Sequence, residues 1–117
     1  MNGERGAVTV HAIAIGSLLG LIAVVIVQAS TLVRLQHEVT KAADLSALAA
    51  SQASVAGKDP CAAATEIGRR NHATVIRCRM DFDVATVTTR GESRAVWGQQ
   101  FGVERKARAA PADYLGR

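Results

Sequence analysis

The chain has 117 residues, only 3% of them aromatic, and a net charge of +4 with a pI near 9.7. Once a long uncharged N-terminal run is set aside, one small domain at most remains, too little for a large enzyme-type pocket. The basic residues (Arg34, Lys41, Arg69, Arg70, Arg77, Arg79, Arg90, Arg94, Arg105, Lys106, Arg108) are scattered and not interleaved with aromatics. A solvated surface is therefore expected rather than a nucleic-acid partner.

From Gly6 to Val33 no residue is charged. A helix rises about 1.5 Å per residue, so this run exceeds the ~30 Å hydrocarbon layer and reads as a membrane span over 7–33. It is longer than the apolar region of a cleaved secretory signal. Three readings stay open: removal near Val27-Gln28-Ala29, a plain uncleaved anchor, and cleavage of a leader, 1–6, between Gly6 and Ala7. Arg5 before the span and Arg34 and Lys41 after it lean towards a cytoplasmic C-terminus by the positive-inside rule. The cysteine pair and the leader pattern favour the opposite: a single-pass protein of the cell membrane with its C-terminal domain extracytoplasmic. Gly16 and Gly20 form a G-x-x-x-G spacing that seats one membrane helix against another. His11 lies inside the apolar run, where an ionisable group is costly and often functional, though near enough to its end to reach the interface. His37 and His72 read as surface residues.

The helical pattern continues past Val33, with no Pro and no Gly before Gly57. Leu32, Leu35, Val39, Ala42, Ala43, Ser46, Ala49, Ala50 and Ala53 recur on one face, and Arg34, His37, Lys41, Asp44 and Gln52 occupy the other. Pairs at helical spacing, Arg34–Glu38, Glu38–Lys41 and Lys41–Asp44, would add a few tenths of a kcal/mol each. Gly57 suits the left-handed residue that ends a helix. The pattern predicts one helix over 7–56, roughly 75 Å long. Ala42, Ala43, Ala49 and Ala50 are small enough to admit either the chain's own sheet or a neighbouring helix.

Residues 57–110 read as a small α+β domain and 111–117 as a tail. Asp59-Pro60 is a helix start, with Asp as N-cap and Pro at the first helical position. The helix is predicted over Pro60–Arg70, stopping at Asn71, which tolerates the left-handed conformation. Thr74–Met80 alternates as a strand with Ile76, Cys78 and Met80 inward. Asp81-Phe82-Asp83 suits a tight connection, Val84–Thr89 a second strand, Arg90–Arg94 a loop, and Val103–Ala109 a charged edge strand. Pro111 ends that strand, and Tyr114–Arg117 is a loose tail. Trp97 and Phe101 either cap the small core or anchor a partner.

Cys61 opens the short helix and Cys78 sits on the first strand. An even cysteine count in an exported domain reads as a disulfide. Free buried thiols are the alternative. With His72 the two make only three zinc-type ligands without paired spacing, and neither lies in a C-x-x-C redox motif. There is no phosphate loop, no H-E-x-x-H, no G-x-S-x-G and no convergent carboxylate pair. The expectation is therefore a non-enzymatic protein, with no catalytic residue, cofactor, metal or small-molecule substrate.

The leader Glu4-Arg5-Gly6-Ala7, the anchor helix, the stretch Ala42-Ala43-Asp44-Leu45-Ser46-Ala47-Leu48-Ala49-Ala50, the Cys61 and Cys78 pair and the terminal Ala107-Arg108-Ala109-Ala110-Pro111 occur in an order that resembles the TadE/TadG-like pseudopilins. The match is to the short actinobacterial kind found near Flp (tight-adherence) pilus and secretion genes. The resemblance implies a minor pilin-like component of a type IVb pilus or related secretion apparatus. It also implies processing by a prepilin peptidase at Gly6–Ala7, and partners among other pilus or secretion membrane proteins. His11 departs from it: pilins of the wider family carry Glu there, thought to pair with a neighbouring subunit's N-terminus. A neutral His11 does not supply that charge, so a stationary assembly factor fits better than a polymerising subunit. The rival class is a membrane-anchored or shed basic protein that recognises anionic lipid, wall polymer or DNA. The fold class on either reading is α+β: a long membrane helix continuing outside, a short helix, and an antiparallel sheet of about three strands.

Overall fold

The computed structural model describes residues 2–93 and 97–113. Two helices precede three strands: α1 Asn2–Val55, α2 Pro60–Arg70, β1 Thr74–Asp81, β2 Val84–Glu92 and β3 Gly102–Ala109. This is the α+β architecture expected, with an antiparallel sheet in the order β1-β2-β3. The chain divides into two units, Met1–Leu32 and Val33–Arg117, and α1 contributes to both. The second unit thus takes in the last turns of α1 as well as everything after them.

The first unit is helix alone, and the helix already includes Asn2, ahead of Ala7. Every residue from Gly3 to Val27 is exposed. α1 is long and apolar enough to cross a membrane. Several polar side chains there turn back on the backbone. Thr9 donates to the Arg5 carbonyl at 3.0 Å, and Ser30 and Thr31 both donate to that of Val27, at 2.8 and 3.1 Å. Such back-bonding hides hydroxyls from an apolar surrounding.

In the second unit α1 buries Val39, Ala42, Ala43, Ser46, Ala47, Ala50, Ser51 and Ala53, while Arg34, His37, Lys41, Asp44 and Gln52 stay exposed. The amphipathic reading holds, with Ala47 and Ser51 added to the covered face and Ala49 only half-buried. The ion pairs expected between Arg34, Glu38, Lys41 and Asp44 do not form; the described pairs lie on α2 and on the sheet. Exposed pairs of long side chains gain little over hydration, so nothing enforces them. α1 ends at Gly57, whose φ is 71°, with Lys58 N–H donating to the Ala53 carbonyl and Gly57 N–H to that of Ser54. That pattern satisfies the last carbonyls and needs a residue tolerant of positive φ.

α2 begins as the sequence predicts: Asp59 accepts from the Ala62 N–H at 3.1 Å and Pro60 leads the first turn. Its end is shifted by one residue. Asn71 keeps a negative φ and donates its side-chain amide to the Ile67 carbonyl, while His72 takes the left-handed conformation at φ 59°. Ala73 N–H then reaches back to the Gly68 carbonyl, closing the same kind of cap as at Gly57.

Two further differences concern the sheet. The sequence pattern turns Ile76 inward, but a bulge between Val75 and Arg77 leaves it without a strand partner and exposed. The extra residue resets the alternation, so Val75, Cys78 and Met80 face the core. β2 runs on through Arg90, Gly91 and Glu92, where a loop was expected, because these residues pair with Glu104, Val103 and Gly102 of β3. Arg94 lies outside the described residues, as does the expected tail Tyr114–Arg117.

The core between α1, α2 and the sheet is built from small residues: Ala43, Ala47, Ala50, Ala64, Ala85, Val87 and Ala107, with Val75, Cys78, Met80 and Ala109 at its margin. Small side chains bring backbones close, and glycines complete the fit at two points. A Cβ on Gly91 would collide with the Val39 side chain, and one on Gly68 would come within 2.9 Å of Val75 Cγ2 and 3.3 Å of Ser46 Oγ. Three hydroxyls fasten α1 to the sheet. Thr89 donates to the Val39 carbonyl at 3.2 Å, Ser51 to the Asp83 carbonyl at 2.8 Å, and Ser54 to the Asp83 carboxylate at 2.8 Å.

Candidate functional site

Gly6 and Ala7 lie inside the first turns of α1, with open space around Gly6. His11 stands one turn beyond, exposed, with Nδ1 2.8 Å from the Ala7 carbonyl oxygen. A carbonyl only accepts, so Nδ1 is the donor in this contact. Gly16 and Gly20 follow five and nine residues further on, and a Cβ added at either would meet none of the described residues within 4 Å. Both lie on the apolar part of α1 and are exposed, as is every residue from Gly3 to Val27.

The alanine stretch is used differently. Ala42, Ala43 and Ala50 are fully buried in the chain's own unit, and Ala49 sits at the edge of that covered face. Its outward neighbours Asp44, Leu45 and Leu48 are exposed. What this segment offers a neighbour is thus Asp44, Leu45 and Leu48 rather than the alanines.

Cys61 and Cys78 are joined by a disulfide, with Cα atoms 5.8 Å apart. The bridge ties the first turn of α2 to the middle of β1. On α2, Glu66 pairs with Arg70 and Arg69 at 2.9 Å each. Hydrogen bonds from Arg70 and then Arg69 hold its carboxyl below the ordinary glutamate range.

The aromatics do not behave as core caps. Trp97 is 64% exposed with φ 55°. Phe101 is also exposed, and its backbone closes the β2–β3 connection through Ser93, whose N–H donates to the Phe101 carbonyl and whose hydroxyl accepts from the Phe101 N–H. Phe82, on the two-residue turn between β1 and β2, is 98% exposed with φ 56°.

Sequence reasoning missed Gly68, Gly91 and Asp83 as fitting points, because their partners in α1 are distant along the chain. It also dispersed the basic residues. Strand pairing gathers Arg77, Arg79, Lys106 and Arg108 on the sheet face turned away from the core.

These features define a class: an apolar N-terminal helix that runs directly into a small, disulfide-linked α+β unit built on alanine packing. The sequence profile of the Flp pilus-assembly TadE/G-like family matches residues 6–64, half of the chain, from the Gly6 boundary through α1 and into α2. The chain belongs to that family. No curated protein and no solved structure gives a significant match.

Proposed function

We propose that this chain is a non-enzymatic, minor pilin-like membrane protein of a Flp-type pilus or its secretion apparatus, with residues after Val33 on the extracytoplasmic side. The reading rests on the family match over residues 6–64, which takes in both the apolar helix and the alanine stretch. The disulfide supports export, since such bonds persist in oxidising compartments. We assign assembly contacts to Gly16 and Gly20, whose spacing suits helix packing, because Ala42, Ala43 and Ala50 are buried within the chain's own unit.

Processing after Gly6 would make Ala7 the new N-terminus, with its carbonyl still held by His11. His11 there places an imidazole where pilins of the wider family carry a carboxylate. That favours a stationary partner contact over charge-driven polymerisation.

Photo-crosslinkers placed at Gly16 and at Gly20 in cells test the assembly role. Capture of a pilus or secretion membrane component is expected, and capture of none removes the proposal. Mass spectrometry of the unreduced mature protein tests processing and topology together. A chain starting at Ala7 with the Cys61–Cys78 bond intact is expected, whereas an intact Met1 with two free thiols speaks against both.

A further inference from the structure

The outward sheet face collects charge that the chain order disperses. Arg77 of β1 stands opposite Thr88 of β2, and Thr88 opposite Lys106 of β3. The adjacent row on that face holds Arg79, Thr86 and Arg108 in the same arrangement. All four cationic residues are exposed, with the threonines half-buried between them. From ordinary strand spacing and rise, the cations stand about 10 Å apart across the sheet and about 7 Å apart along it.

The same face carries three acids, Asp81, Glu92 and Glu104, set at its two ends. Glu104 and Glu92 both lie beside Arg90, in the neighbouring row, at 3.9 and 3.7 Å. Asp81 is 3.3 Å from Arg79. Arg77, Lys106 and Arg108 form no ion pair with any described residue. Charges on edge strands discourage edge-to-edge pairing, but mixed signs would serve that end equally well. The three cations without an acid partner are like charges on one face, an arrangement that strand pairing does not call for.

We propose that this face binds a polyol-phosphate polymer of the cell envelope, through successive phosphates along the two rows. Three of the four cations are arginines, whose planar fork donates two hydrogen bonds to one phosphate. The Thr86 and Thr88 hydroxyls lie between the rows' cations and supply further donors. The repeat along each strand lets Arg77 and Arg79, and Lys106 and Arg108, take neighbouring phosphates. No aromatic residue stands in either row, so the face has no platform for a nucleobase. On the extracytoplasmic placement proposed above, which the disulfide supports, the face is turned towards the cell envelope and its phosphate polymers.

The test uses the full chain in nanodiscs of zwitterionic lipid, titrated with fluorescent poly(glycerol phosphate). Binding that weakens steeply with salt is expected. R77Q/R79Q and K106Q/R108Q should each weaken it at least tenfold, while R69Q/R70Q on α2 should leave it within twofold. The charge-conserving R77K/R79K should weaken it severalfold, a loss that tracks phosphate geometry and not folding. Absence of binding at low salt, or binding indifferent to the sheet substitutions, overturns the proposal. So does tighter binding of polyglutamate or duplex DNA than of the phosphate polymer. Binding abolished by adding anionic lipid to the same discs reassigns the face to the bilayer and overturns the choice of polymer.

Discussion

Val39 occupies the space that a side chain on Gly91 would need. The two residues lie on α1 and β2, and their fit sets how closely the helix lies on the central strand. Gly91→Ala should therefore destabilise the second unit by about 1–3 kcal/mol, as overpacking does. Val39→Ala alone opens a void, but in combination with Gly91→Ala it removes the clash. The double variant should be less destabilised than the sum of the two, which urea unfolding of the full chain in mild detergent would measure.

The Cys61–Cys78 bond closes a short loop around α2, with a sequence separation of 17. On the chain-entropy argument its loss costs about 3 kcal/mol. C61A/C78A should unfold at markedly lower urea than the parent protein, and the parent plus reductant should match it. Equal midpoints with and without reductant would show that the alanine core suffices alone.

Two buried serines on the same face of α1 should respond oppositely. Ser51 donates to the Asp83 carbonyl, and Ser51→Ala strands that acceptor, at a cost of about 1–3 kcal/mol. Ser46 is fully buried and its hydroxyl has no partner among the described residues. Ser46→Ala removes an unsatisfied polar group and should be neutral or slightly stabilising. Parallel melts of the two variants give the contrast directly.

Phe82 holds a left-handed backbone conformation while exposing its ring to solvent. That conformation costs a residue with Cβ roughly 1–2 kcal/mol, least for Gly and Asn. Phe82→Asn should thus raise the thermal midpoint by a few degrees, because the lost ring has little burial to forfeit. A fall in midpoint would mean that the ring is covered in the folded protein.

Glu66 gives the protein a pH response. Arg70 and Arg69 depress its carboxyl below the unfolded value, so its stabilising effect is fully present above that value and is lost as pH falls through the folded one. The effect is small, since the pair is exposed. Carboxyl chemical shifts should show Glu66 titrating below the ordinary glutamate range, and Glu66→Gln should flatten the acid side of the stability profile by lowering neutral-pH stability by the same small amount.

The sequence by itself determined most features whose cause is local, the end of α2 at His72 instead of Asn71 excepted. An uncharged run longer than a bilayer, a face of small residues at helical spacing, Asp59-Pro60 ahead of α2 and Gly57 after α1 each encode their structure within a few residues. The same is true of the order of motifs that carries the family resemblance. Tertiary structure decided what depends on register between distant segments. The bulge at Ile76 turns Val75 inward, and the pairing of Gly91 with Val103 extends β2 where a loop was expected. The fit of Val39 to Gly91 depends on two segments far apart in the chain. The row Arg77–Thr88–Lys106 exists only once three strands are aligned, which is why cations that look scattered along the chain form one face in the folded unit.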